Sequence, residues 1–169
     1  VNELRACKEF YFSVAFVTNS GVATLINTLQ ELENKGIKGK ILASQYQNFT
    51  EPRALERLLE FKNIQLKIIT EGNFHAKGYI FRHSLRDIHD VYTLIIGSSN
   101  LTQEALSTNK EWNLKVSSLS DGALLKNTIE EFNNLFDNAE PVTKEWISEY
   151  NKIYNEKRYY NEDEADEIG

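Results

Sequence analysis

His75 and Lys77 stand two residues apart in the run FHAKGYIFR, residues 74–82. Further on, GSSN at 97–100 sets Ser98 and Asn100 two apart, and Glu111 follows eleven residues after Asn100. Together these side chains form a set that can act on an anion. An ammonium and amide hydrogens can hold the nonbridging oxygens of a phosphodiester, and a hydroxyl adds a further donor. A neutral imidazole can attack phosphorus and divide one displacement into two easier steps, while a carboxylate fixes its tautomer. An imidazolium, with a reference pKa of about 6.5, is a suitable acid for the leaving oxygen at neutral pH. The scheme calls for no metal and no organic cofactor. A lone histidine on a strand is ordinarily structural, so the chemical reading rests on His75, Lys77, Ser98, Asn100 and Glu111 occurring together.

Side chains alternate along a strand, so a strand over 74–82 would carry His75 and Lys77 on one face. The surrounding sequence reads as an alternation of strands and helices. Phe10 to Val17 has the aromatic and Val content of a buried strand. Ser20 is placed to cap a helix that ends at Lys35-Gly36, with Val22, Leu25, Ile26, Leu29 and Leu32 at helical spacing. Lys40 to Ala43 and Ile64 to Thr70 are the next strands, separated by a helix that Thr50 and Pro52 begin. A polar stretch from His83 to Asp90 reads as an irregular insert between the strands 74–82 and 91–96. Thr102 caps a short helix to Leu106, and Glu111 to Ser117 forms a last strand. A long helix begins near Asp121, and a final one after Pro141 turns Trp146, Tyr150 and Ile153 inward. This order predicts an α/β fold, a mixed and mostly parallel sheet flanked by helices, as one domain over 1–160 with an acidic tail or linker over 161–169. Trp112 and Trp146 are expected in the core.

The bulk composition fits such a domain. At 169 residues with 41% hydrophobic and 26% charged residues, the chain can bury one sizeable core. Net charge is −6, of which the last nine residues carry −5, so the body is close to neutral. That balance argues against a broad basic face but leaves room for a local basic cleft. A single cysteine, Cys7, allows no internal disulfide, and the longest apolar runs fall short of the roughly 20 residues of a membrane helix. A cytoplasmic setting is the expectation. The absence of Met and the start at Val1 suggest a segment of a longer polypeptide. His83, Asp87, His89 and Asp90 are ligand-type side chains, read here as a solvated insert rather than a metal site. The loop Tyr46-Gln47-Asn48-Phe49 reads as packing, with base stacking at a cleft edge as the alternative.

The pattern His75-x-Lys77, then Gly97-Ser98-x-Asn100 and Glu111, resembles a single copy of the phospholipase D superfamily motif. Stretches such as SVAFVTNSGVATLI, FHAKGYIF, IIGSSNLTQEAL and EWNLKV are similar to the phospholipase-D-like nuclease domain of bacterial restriction-type superfamily 2 helicases. The resemblance spans about Phe10 to Phe136. It implies a DNA phosphodiesterase working through a phosphohistidine, attached to further domains of the same polypeptide. The family places Asp five positions after the Lys, where this chain has Arg82; Asp87 or Asp90 is the candidate substitute. Neither His83 nor His89 has a lysine two positions on, so a twofold homodimer is expected to supply the second histidine, as one-copy relatives imply. Two other readings stay open. One is a catalytically idle nucleic-acid-binding and dimerisation module; the other is lipid phosphatidyl transfer, disfavoured by the lack of a membrane-binding helix.

Overall fold

The computed structural model describes the whole chain except residues 46, 47, 73, 75, 86–88, 109 and 167–169, and gives backbone alone for Leu85 and 157–166. Helix α1 (Asn2–Ala6) leads into strand β1 (Glu9–Ser13), α2 (Asn19–Asn34), β2 (Lys38–Ser44), α3 (Pro52–Leu59) and β3 (Ile64–Ile69). Then come β4 (Gly78–Leu85), β5 (His89–Gly97), the short α4 (Gln103–Ser107), β6 (Asn113–Leu119), α5 (Ala123–Asn138), the two-residue β7 (Glu140–Pro141) and α6 (Lys144–Asp166). The strands form one seven-stranded sheet in the order β6-β5-β4-β1-β2-β3-β7.

The expected layering of helices on a mixed sheet is what the chain forms. Its balance differs from expectation. Among the described residues, β1–β2 and β2–β3 pair in parallel, while β1–β4, β4–β5, β5–β6 and β3–β7 are antiparallel. The polar insert accounts for one of these pairings, β4–β5, because its described ends continue the two strands. Ser84 pairs with Asp90 and Leu85 with His89, so both strands extend into a hairpin, and strands joined by so short a connection can pair only antiparallel.

Strand alternation sorts the side chains into two layers. Phe10, Phe12, Tyr79 and Phe81 face α1, α2, α3 and α6 and join Leu4, Leu25, Leu55 and Tyr150 in the main core. The opposite face is covered by α5, through Phe132 and Phe136 over Leu42 and through Leu125 against Ile80 and Leu94. One helix shields a band only about 10 Å wide, whereas strands spaced about 4.8 Å apart make this sheet nearly three times as broad. The corner of that face where β5 ends and β6 begins is therefore left exposed, at Ile96 and Leu114. Trp112, expected in the core, is 91% exposed there. Ile153 is likewise exposed on α6, while Trp146 is partly buried beside Tyr150.

The helix starts also shift. Thr18, not Ser20, caps α2, its hydroxyl accepting the Gly21 N–H at 3.1 Å. Glu51 occupies the N-cap of α3, and buried Thr50 instead donates to the Ser44 carbonyl at 2.7 Å. Thr102 caps α4 as expected, accepting from the Ala105 N–H. Among the described residues, no helix is long and apolar enough to cross a membrane.

Candidate active site

Because β4 runs antiparallel to β1, the start of β4 lies beside the end of β1; β5 then ends, and β6 begins, at that same edge. Four chain segments distant in sequence thus converge on one edge of the sheet. Lys77 immediately precedes β4 and Glu111 precedes β6, so both sit at strand mouths rather than within strands. His75 lies outside the described residues.

Asn100 is the best anchored member. It is 8% exposed, and its Oδ1 accepts the backbone N–H groups of Ala15 at 3.0 Å and Phe16 at 3.3 Å. With its oxygen committed, the amide can offer a ligand only its Nδ2 hydrogens, which is the polarity an anion requires. A parallel bridge between Val17 and Leu101 fixes the two loops against each other, and the Thr18 N–H donates to the Leu101 carbonyl at 3.1 Å. Gly21 makes that approach possible, since a Cβ there would lie 2.1 Å from the Leu101 oxygen.

Ser98 and Glu111 form a second unit. The Ser98 hydroxyl donates to Glu111 Oε2 and its oxygen accepts the Trp112 N–H at 3.2 Å, while the Ser98 N–H donates to the Trp112 carbonyl at 3.1 Å. The hydroxyl expected to reach a phosphate is thus turned to the carboxylate and orients it. Gly97 permits this pairing, because a Cβ would meet the Trp112 carbonyl oxygen at 2.1 Å and backbone cannot yield as a flexible side chain would.

Lys77 is 9% exposed. Burial holds its ammonium below the ordinary lysine value, and the Glu111 carboxylate works against that shift. A poorly hydrated cation with a carboxylate in range is suited to receive a phosphate, whose charge restores what the ammonium lost on leaving water. The consequence for pH follows from the sign. If the protonated lysine is the working form, turnover will fall as pH rises through a value below the usual 10.4 or so. Lys77→Arg should carry that alkaline limb out of range, since guanidinium stays protonated. Rate profiles of the two proteins from about pH 7 to about pH 11 check this.

Two supporting side chains were not anticipated from sequence. Tyr79, two residues after Lys77, donates its hydroxyl to the Ser99 carbonyl at 2.8 Å; burial pushes its pKa up, with the Glu111 charge adding to the effect. Ser44 donates to the Ala15 carbonyl at 2.8 Å and to the Phe74 carbonyl at 3.3 Å, tying the residue before His75 to the β1 end. Alternation could have revealed Tyr79; nothing local marks Ser44.

The remaining candidates fall elsewhere. Arg82 joins three strands through Glu9 at 3.1 Å and Asp90 at 3.3 Å, a structural set of ion pairs across β1, β4 and β5. His83 contacts Glu3 at 3.1 Å and the Ala6 carbonyl at 3.3 Å, fastening α1 to β4. His89 is exposed at the start of β5, and Asp87 lies outside the described residues. Among the described residues, no cluster of three His, Cys, Asp or Glu side chains is poised to hold a metal. Phe49 is half-exposed and meets Phe16 edge-on at 5.7 Å, while Tyr46 and Gln47 lie outside the described residues.

Residues 3–138 match the family model described as cardiolipin synthase, PLD-like domain. The chain belongs to the phospholipase-D-like family. This is a family of phosphodiesterase type, and the match covers α1 through α5. Several solved structures share the fold. Nuc, a phospholipase D family member from Salmonella typhimurium, superposes with a TM-score of 0.60 at 19% identity, over 85% of this chain and 88% of that one. Phosphatidylserine synthase of Haemophilus influenzae gives 0.62 at 14% identity, over 99% of this chain but 43% of that one. Polyphosphate kinase of Porphyromonas gingivalis gives 0.53 at 15% identity, over 83% of this chain and 24% of that one. At these identities the likeness is one of fold. No curated protein sequence matches the chain significantly.

Proposed function

We propose that the chain is a metal-independent phosphodiesterase that cuts DNA through a phosphohistidine, as the nuclease part of a larger helicase- or restriction-type protein. The observation that carries this reading is the convergence of a buried cation, an amide with only its donors available, and a serine-held carboxylate on one sheet edge. All three belong to the motif whose first member is His75.

In this reading the phosphate sits against Lys77 and the Asn100 amide hydrogens, which stabilise charge as it builds on the nonbridging oxygens. A His75 nitrogen forms a bond to phosphorus as the bond to the leaving oxygen breaks, and Glu111 accepts the other ring N–H. The leaving oxygen takes its proton from the imidazolium of His75 in a second copy of the chain. A water then gives its proton to that same imidazole, now neutral, and its oxygen displaces the first histidine from phosphorus. Acid and base are thus restored and the nucleophile is freed.

Two observations together test the proposal: DNA cleavage persisting in excess EDTA, and a labelled histidine adduct captured by rapid quench under alkaline conditions, which preserve this acid-labile bond. Cleavage that disappears with EDTA, or turnover with no adduct on the chemical time scale, would exclude the scheme. Turnover of phosphatidylcholine exceeding that of DNA would move the assignment to lipid.

A further inference from the structure

Two aromatic side chains flank the anion site along the sheet edge, and each is tied to a group of that site. On one side Trp112 follows Glu111 directly; its N–H donates to the Ser98 hydroxyl oxygen at 3.2 Å, and that hydroxyl donates to Glu111. On the other side Phe16 donates its N–H to Asn100 Oδ1 at 3.3 Å, and its ring meets Phe49 edge-on with centroids 5.7 Å apart. The two outer rings are open to solvent, Trp112 at 91% and Phe49 at 51%. Trp112 leads into β6 and Phe16 follows β1, three strand spacings away, or about 14 Å. Lys77, before β4, and Ser98, after β5, lie between them.

We propose that this edge is a track for single-stranded nucleic acid, with bases on either side of the bound phosphate stacked on Trp112 and on Phe49. The inference rests on the phosphodiesterase reading of the site given above and adds to it the strandedness of the substrate. An unpaired strand alternates anionic phosphates with flat bases, and the edge alternates in the same way: a ring, anion-binding side chains, a ring. A base inside a duplex already has both faces stacked, so paired DNA would leave the two aromatics in water. Exposed Lys110, beside Glu111, adds a cation on the Trp112 flank. Both platforms also stand on fixed backbone. Trp112 is held through its N–H and its carbonyl to Ser98, and Asn48, at a φ of 56° in the left-handed region that asparagine tolerates, turns the chain into Phe49. A ring anchored in this way gives up little freedom when a base settles on it.

Titration of the His75→Ala chain, which leaves the strand uncut, with a short oligothymidylate tests the track, Trp112 fluorescence being read in a Trp146→Phe background. The oligothymidylate should quench the indole. An abasic strand of equal length, with the same phosphates and no bases, should bind roughly 10-fold or more weakly and leave the fluorescence unchanged. Trp112→Ala and Phe49→Ala should each weaken oligothymidylate binding by roughly 10-fold while abasic binding stays the same, and Trp112→Phe and Phe49→Tyr should restore most of the loss. Equal affinity for the two strands, either alanine variant binding like the parent, or a duplex bound as tightly as the single strand would overturn the proposal. So would shielding of Trp112 by rising protein concentration without oligonucleotide, which would place the indole in a protein contact. Stacked binding by a parent chain that cleaves no phosphodiester would refute the catalytic reading and leave the track standing. Cleavage by a chain that binds base-bearing and abasic strands alike would do the reverse.

Discussion

His75→Ala will lower phosphodiester hydrolysis by roughly 10³-fold or more on the proposed mechanism, in which it removes the atom that bonds to phosphorus and, in a twofold site, the acid facing it as well. Mixing the variant with the parent chain gives the sharper result. If one phosphate lies between two copies and uses both imidazoles, only dimers of two parent chains work. An equal mixture, allowed to exchange, will then show about one quarter of the parent activity, whereas independent sites would show about half. Steady-state rates across mixing ratios separate a quadratic from a linear dependence. A linear dependence would mean that each copy carries a complete site.

Asn100→Asp is expected to lower turnover by about 10²- to 10³-fold, the usual effect of losing one preorganised donor at a developing oxyanion, while leaving the fold in place. The structural half of the residue survives this exchange. One carboxylate oxygen can still accept from the Ala15 and Phe16 N–H groups, as Oδ1 does now. The other replaces the amide donor with a negative charge turned toward the substrate phosphate. Asn100→Ala should behave differently, since the largely buried Ala15 N–H would lose its acceptor at a cost of about 1–3 kcal/mol. Thermal melts of the two variants beside their rates check the distinction. An Asp variant that melts like the parent and retains full activity would remove Asn100 from the site.

The site's chemistry was legible in the sequence to the extent that it is local. His75-x-Lys77 and Ser98-x-Asn100 are spacings within a few residues that the sequence displays directly, and of these four the structure describes Lys77, Ser98 and Asn100 at one sheet edge. The helices were legible for the same reason, as periodic apolar positions mark α2 and α5 without reference to the rest of the chain. Boundaries were less so. The polar stretch from His83 to Asp90 lacks the apolar run of a strand, yet the pairing of Ser84 with Asp90 and Leu85 with His89, together with the Arg82 ion pairs, carries its described residues as extensions of β4 and β5.

What the sequence by itself determined is an inventory and its grouping: an α/β chain of the phospholipase-D-like kind, with a cation, an amide, a hydroxyl and a carboxylate at strand ends. The tertiary structure alone decided how each is held. The partners of Asn100 Oδ1 lie 85 and 84 residues away, and no local pattern predicts them. The Ser98 hydroxyl turns to Glu111 only because β5 and β6 bring their ends together. Trp112 has the composition of a core residue, and it is exposed because burial depends on how much of a sheet its helices can cover. On this face one helix covers too little, a property of the assembled layers and not of any segment.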